Sequence, residues 1–338
     1  MDVIRFKTPI SVLGVGTAVG KKEFDGPLGS KFDIHSDDDR FGQKTWEKSE
    51  AEMVRFAYNF ALKNAKMRPE DIQAVFAGDL MNQCTASGYG LINGGRSYFG
   101  LYGACSTMAE GMILASLSID SGGFENAAVC ASSHNCTAER QFRFPVEYGA
   151  QRTPTSQRTV TACSCMILGK ERSDICISGA LAGRTVDAGI NDINNMGAAM
   201  APAAFDTLKR YFECVTSSAE AIDLIVTGDL GFEGYGILRD FMHLQSVDIS
   251  KIYNDCGLMM YDRVAQDADA GASGCGCGGT VLCAHVIDMM KKGKYKKVLF
   301  VGTGAMMSPL TVFQGETIPC IAHLIELSYL PNGEKREE

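Results

Sequence analysis

Cys105 is the residue through which this 338-residue chain could do covalent chemistry. It stands in Gly103–Gly111, "GACSTMAEG", directly after a small-residue turn. Met108, Gly111, Met112, Ala115 and Ile119 follow at the spacing of a buried helix face. A thiol at a helix start meets unpaired N–H groups and the positive end of the helix dipole, which favour the thiolate. A nucleophile also needs a base within reach and donors for a developing oxyanion. Among the histidines, His134 directly follows the strand-like run "AAVCASS" and is expected to face the same cavity as Cys105. His285, mid-helix, is expected to pack; His323, in "PCIAHLIEL", to lie on a core-facing strand; His35 and His243 to lie at the surface.

Other motifs carry less chemistry. Cys163-x-Cys165 and Cys275-x-Cys277 lack the two-residue spacing and the second ligand pair of a zinc site. "HSDDDR" at 35–40 lacks the glycine and distal glutamate of a calcium loop and reads as a solvated loop. "GVGTAVG" at 14–20 misses the dinucleotide spacing by one residue and is expected to shape a strand. "GASGCGCGG" is no P-loop, since no Lys-Ser/Thr follows; it reads as a buried turn whose N–H groups could receive an anion. No metal and no cofactor are expected.

The elements that must hold Cys105 occur twice. "DIQAVFAGDL" at 71–80 and "AIDLIVTGDL" at 221–230 are both apolar runs ending in Gly-Asp-Leu, about 150 residues apart. The first follows a stretch with Met53, Phe56, Ala57, Phe60 and Ala61 at helical spacing. A turn, a cysteine, a helix and a strand run from 104 to 133 and again, about 170 residues later, from 271 to 304. The extra length is assigned to 231–269. Strands alternating with helices, in duplicate, predict a layered α/β fold with mainly parallel sheets. The first half is expected over 1–201, with a middle insertion at about 137–201, the second over 202–330, and a polar tail over 331–338.

Composition narrows the function. Asp and Glu outnumber Lys and Arg by 40 to 32, a net charge of −8, which argues against nucleic acid as a partner. The lysines at 291, 292, 294, 296 and 297 are expected to line a solvated turn. Thirteen scattered cysteines, an odd number, and a start without a basic and apolar leader predict free thiols in a reducing, cytoplasmic setting. No apolar run is long enough to span a bilayer, so membrane association is expected to be peripheral.

The residues from "GACSTMAEGMILASLSID" to "AAVCASS", with "DLIVTGDLG" and "ASGCGCGGTV", resemble the thiolase-like condensing enzymes of the β-ketoacyl-ACP synthase III type. That resemblance implies a duplicated α/β fold layered α-β-α-β-α and a homodimer. A tighter resemblance links "SSHNCTAERQFRFPVEYGAQRTPT", "NNMGAAMAPAA", "DCGLM" and "QGETIPCIAH" to the sporulation family SpoVAD of spore-forming Firmicutes. This implies a protein that binds dipicolinic acid (pyridine-2,6-dicarboxylate), free or as its calcium chelate. It would work with SpoVA membrane proteins at the cytoplasmic face of the forespore membrane, in sporulation and germination. The condensing enzymes place a His after the strand matching "DLIVTG" and an Asn at the later Gly-rich turn; here those positions fall at Gly228–Asp229 and Gly274–Cys275. The expectation is a non-catalytic protein, with acyl transfer through Cys105 as the alternative. A flat dianion needs cationic forks at its ends. Arg140, Arg143, Arg152 and Arg158 lie in one segment, and its glutamates offer them a competing role at a dimer interface. The expected pocket comprises Cys105, Ser106, His134, Arg140, Arg143, Asp229, Gly274, Cys275 and Gly276.

Overall fold

The computed structural model describes residues 3–92, 94–142, 152–215 and 218–331. Its first strand, β1 (Val3–Gly20), is also its longest. Helix α1 (Trp46–Ala65) packs across it, capped by the Thr45 side chain, which accepts from Lys48 N, and closed by Lys66 in the left-handed region. The "GVGTAVG" glycines explain how closely the two meet. A Cβ at Gly14 would lie 2.5 Å from the Ala61 carbonyl oxygen, and one at Gly16 would lie 2.2 Å from that of Ala57. The strand can touch the helix backbone only where side chains are missing.

Then follow β2 (Ala74–Gly78), β3 (Ser97–Gly100), α2 (Thr107–Asp120), β4 (Asn126–Ser133), α3 (Asn135–Phe142), β5 (Arg158–Thr159), β6 (Ala162–Gly169) and β7 (Ile175–Leu181). Next come α4 (Met196–Cys214), β8 (Leu224–Thr227), α5 (Gly231–Leu244), β9 (Tyr253–Asp255), α6 (Cys256–Met260) and β10 (Ala272–Ser273). The last are α7 (Cys275–Val281), which continues helically to Lys291, then β11 (Lys297–Ala305) and β12 (Cys320–Tyr329).

The main sheet runs β9-β8-β11-β12-β7-β1-β6-β4-β2-β3, with the short strand Ile34–Ser36 also on β1. This order is a palindrome. Moving outward from β1, the strands are the first, fifth, fourth, second and third of their half; moving outward from β7 they are the same. In each half the inner two pairings are antiparallel and the outer two parallel. The sheet is thus more mixed than the expected mainly parallel one. Antiparallel returns arise where a connection lacks a full crossover helix, as between β11 and β12. By strand order, the second half starts at β7, and the chain passes between halves at 170–174. The expected division at 201/202 groups β7 with the first half; its seven residues give little hint that it matches the long β1.

Three hydrophobic clusters define five layers. α1 places Met53, Ala57 and Ala61 against Cys130, Cys163 and Ile167 of β4 and β6. On the other face α4 and α5 cover Leu299, Val301 and Leu324 of β11 and β12. Between the half-sheets lie α2 and α7, whose Met108, Met112, Ile119, Val281 and Leu282 join Phe76, Val129, Phe300 and Ile325 in one core. Each such large side chain taken from water contributes about 1.5–3 kcal/mol. Among the described residues, no helix is long and apolar enough to cross a membrane.

Candidate functional site

A single tight turn, Ala104–Ser106, precedes α2 and presents Cys105. Ala104 takes φ +49°, a left-handed conformation that costs a non-glycine residue about 1 kcal/mol. The turn leaves the Cys105 side chain half-buried and its neighbour Ser106 buried, with Ser106 Oγ donating to the Gly103 carbonyl at 2.7 Å. Ser106 is therefore committed to the turn.

The second half supplies what Cys105 faces. The loop after β8 delivers Asp229, β10 delivers Ser273, the cap of α7 delivers Gly274, and β11 delivers Thr303. Cys105 Sγ lies 3.9 Å from Ser273 Oγ, and Ser273 Oγ donates to Asp229 Oδ2 at 2.7 Å. Gly274 N donates to the same oxygen at 3.0 Å, and Thr303 Oγ1 donates to Oδ1 at 2.8 Å. Gln157 Nε2 donates to the Asp229 carbonyl at 2.6 Å. Asp229 itself is 1% exposed. One residue further, Asp255 accepts from Leu230 N, Gly231 N, Leu258 N and Thr227 Oγ1. It fixes the Gly-Asp-Leu turn that aims Asp229.

The electrostatics run against a nucleophile. Burial pushes the Cys105 thiol well above its ordinary range, and the Asp229 charge adds to that. A carboxylate favours the protonated thiol, whereas an imidazolium would favour the thiolate. Burial also raises the Asp229 carboxyl, against hydrogen bonds from Cys105, Ser273, Gly274 and Thr303 that hold its charge. Asp255 is pushed up to about 7, again chiefly by burial.

The other expected site residues fall in three groups. Gly274 and Gly276 form the turn opposite Cys105. Gly274 has φ +117°, and a Cβ there would lie 2.7 Å from Ser133 Oγ; one on Gly276 would lie 2.0 Å from the Ala162 carbonyl oxygen. Cys275 points away, fully buried, its Sγ 3.6 Å from the Gly78 carbonyl. His134 is also committed elsewhere. Its Nε2 donates to the Asp39 carbonyl at 2.9 Å, its Nδ1 accepts from Cys136 N at 3.1 Å, and its ring packs on Trp46. Burial holds it neutral, and neither ring nitrogen is left for Cys105. Arg140 is paired with Glu47 at the surface of α3 and does not join the Cys105 turn. Arg143 lies outside the described residues.

The sequence reading missed Ser273 and Thr303, although both sit inside quoted stretches, "GASGCGCGG" and "VLFVGTG". Hydroxyl residues flanking a buried acid were the available signal. All thirteen cysteines are free, and among the described residues no cluster of His, Cys, Asp or Glu could hold a metal ion.

A duplicated, five-layered α/β fold with a cysteine opening the central helix defines a thiolase-like protein. Solved structures agree. Xanthomonas campestris OleA bound with cerulenin superposes with a TM-score of 0.60 at 16% identity, covering 96% of this chain and 98% of that one. The 3-oxoacyl-[acyl-carrier-protein] synthase III of Aquifex aeolicus gives 0.57 at 14% identity, covering 95% and 100%. Within this class, the chain matches the family of Stage V sporulation protein AD (SpoVAD) over residues 1–328 and belongs to it. It is 41% identical to the Stage V sporulation protein AD of Bacillus subtilis (strain 168) over 318 residues, 94% of each chain.

Proposed function

We propose that this protein is a catalytically degenerate thiolase-like binder of dipicolinic acid that serves the SpoVA membrane proteins in loading and releasing that acid. The observation that carries the non-catalytic half is the buried Asp229 beside Cys105. It stands where a condensing enzyme needs a proton-accepting histidine, and its charge adds to the burial that raises the thiol's pKa. Family membership supports the ligand and the partners. Docking at the cytoplasmic face of the forespore membrane is peripheral in this reading, through partner proteins. The outermost strand β3, with Tyr98 and Phe99 over 40% exposed, supports a homodimer joined at that edge.

Calorimetry with dipicolinic acid, free and calcium-bound, tests the ligand; heat in neither titration removes it. The alternative, acyl transfer through Cys105, is tested by mass spectrometry after incubation with acyl-CoA donors. No adduct is expected. A stable acyl group on Cys105, lost in Cys105→Ala, would establish an enzyme instead.

A further inference from the structure

The turn between α7 and β11 carries Lys291, Lys292, Lys294, Lys296 and Lys297, five cations in seven residues of a chain whose net charge is −8. The duplicated fold holds a control for it, the turn between α2 and β4. Both helices close the same way. Gly293, at φ +72°, donates its N–H to the Met290 carbonyl at 2.8 Å, and Lys294 N donates to that of Met289 at 3.0 Å. Gly122, at φ +83°, donates to the Ile119 carbonyl at 3.0 Å, and Gly123 N donates to that of Ser118 at 2.9 Å. Each turn then seats one aromatic ring, Tyr295 or Phe124, against the central core. Matched on these glycines, Asp120 and Glu125 of the first copy stand where Lys291 and Lys296 stand in the second. Ser121 and Gly123 stand where Lys292 and Lys294 do. The turn therefore needs its glycine and its ring, and not its lysines. Cations complement the end of a helix dipole, yet the first copy ends its helix on Asp120.

Few carboxylates answer these cations. Lys292 pairs with Asp288 at 2.8 Å, but Asp288 also holds Lys31 at 2.7 Å. Lys297 pairs with Glu326 at 3.3 Å, but Glu326 also holds Arg5 at 2.8 Å. Asp223 accepts from the backbone N of Lys296 at 2.7 Å and of Lys297 at 2.8 Å, which offsets one charge. Asp120 and Glu125 are engaged in their own copy, with Lys7 N and with Lys170. Lys291, Lys294 and Lys296 are exposed, and their ammonium groups make no ion pair with a described residue.

We propose that the 291–297 turn docks the protein directly on a bilayer surface carrying anionic phospholipid headgroups. Lysine is a hydrated point charge on a flexible stem, so several of them meet many mobile phosphates without a fixed register. An acidic protein partner would favour guanidinium forks, and the turn contains no arginine. The chain as a whole is acidic, so this face is drawn to such a surface while the net charge is repelled, and docking is oriented. The orientation follows from β11. It starts at Lys297 and runs nine residues, roughly 26 Å, to the end where a Cβ on Gly304 would lie 2.5 Å from the Gly103 carbonyl oxygen. Docking by the lysines thus turns the Cys105 end of the sheet away from the bilayer. The proposal adds a lipid contact to the partner-mediated docking proposed above and does not depend on the ligand.

Flotation of the full chain with vesicles tests this without partner proteins. Vesicles of equal parts phosphatidylcholine and phosphatidylglycerol should bind it, and phosphatidylcholine alone should not. The triple variant Lys291→Gln, Lys294→Gln, Lys296→Gln should lose binding about tenfold or more, and the corresponding triple change to Arg should keep it. Lys44→Gln, Lys48→Gln, Lys63→Gln removes the same charge at and before α1 and should bind as the parent does. Binding should fall steeply as salt rises. No binding to the mixed vesicles, equal losses in the two Gln triples, or binding that persists at high salt would each overturn the proposal. A polyglutamate peptide captured through the same lysines, with vesicles ignored, would assign the turn to an acidic protein and overturn the lipid reading. None of these outcomes bears on calorimetry with dipicolinic acid, so failure here and failure of the ligand reading are distinguishable.

Discussion

The fold contains the Cys105 centre twice, and the two versions differ in how open the cysteine is and in where the aspartate turns. Each half begins a central helix with a cysteine and ends a strand with Gly-Asp-Leu, and each cysteine faces the other half's turn. Cys105 lies with Asp229 of the second half; Cys275 lies at Gly78, next to Asp79 of the first. The residue before each cysteine has positive φ, Ala104 at +49° and Gly274 at +117°. Each aspartate has a second buried carboxyl group near it, Asp255 for Asp229 and Glu50 for Asp79. Yet Cys275 is 0% exposed while Cys105 is half-buried. Duplication fixed the frame, and the side chains decided which copy stayed open. Asp79 turns to its own loop, accepting from Ser87 N and Oγ and from Met81 N, whereas Asp229 reaches across to the facing helix start.

The strongest way to break this pairing is at the turn glycines. In Gly274→Ala a side chain must adopt φ +117° and lie 2.7 Å from Ser133 Oγ. A loss of about 3 kcal/mol or more is expected in urea unfolding, from strain and overlap together. Ala104→Gly, the matching change, should be neutral or stabilising by up to about 1 kcal/mol, since it relieves a left-handed alanine. Equal losses at both sites would refute the equivalence of the two turns.

Next in size is removal of the aspartates. Asp229→Ala leaves Ser273 Oγ, Gly274 N and Thr303 Oγ1 without an acceptor in the interior. A loss of about 2–3 kcal/mol is expected. Asp79→Ala should cost less, because Asp79 is 7% exposed against 1% and its donors lie in a local loop nearer to water. A larger loss for Asp79→Ala than for Asp229→Ala would reverse that ranking.

The duplicated frame was legible from the chain because Gly-Asp-Leu and the cysteine turn are local patterns with fixed spacing. The buried faces of α1 and α2 were legible for the same reason. The half boundary was not, since pairing of β7 with β1 is a long-range fact that a seven-residue apolar run does not encode. His134 and Arg140 also misled. Both follow β4, which does end near the site, but His134 bonds the Asp39 carbonyl just before α3, and α3 carries Arg140 to Glu47. Where a side chain points after a strand depends on the next element's packing.

Acidity separates the copies more gently. Burial pushes Glu50 up to about 8 and Asp255 and Glu23 up to about 7, whereas unfolded carboxyls titrate near 4. The folded chain therefore keeps protons that the unfolded chain has released between about pH 4 and 8. Stability from these groups is fully present below about pH 4 and lost as pH rises through 7 to 8. Melting temperature should fall by several degrees from pH 6 to pH 8.5. Glu50→Gln should flatten that fall more than Asp255→Asn, since Glu50 titrates higher. A melting temperature that rises over this interval would contradict protonated carboxyls in the core.

The smallest effect concerns the thiols themselves. In Asp229→Asn the amide keeps the shape and most hydrogen-bonding reach of the acid but removes the negative charge near Cys105. The thiolate then becomes easier to form, although the burial that raises this thiol most remains. Alkylation of Cys105 by iodoacetamide at pH 7.5, followed by peptide mass spectrometry, should be faster than in the parent. Asp79→Asn, the same change in the other copy, should leave Cys275 unreactive, because a thiol with no exposed surface is limited by access and not by charge. If Cys275 instead gained reactivity while Cys105 did not, the open and closed assignments of the two centres would have to be exchanged. The thiol of Cys105 is thus restrained by burial and by a charge that one substitution removes, and that of Cys275 by packing that none of these substitutions touches.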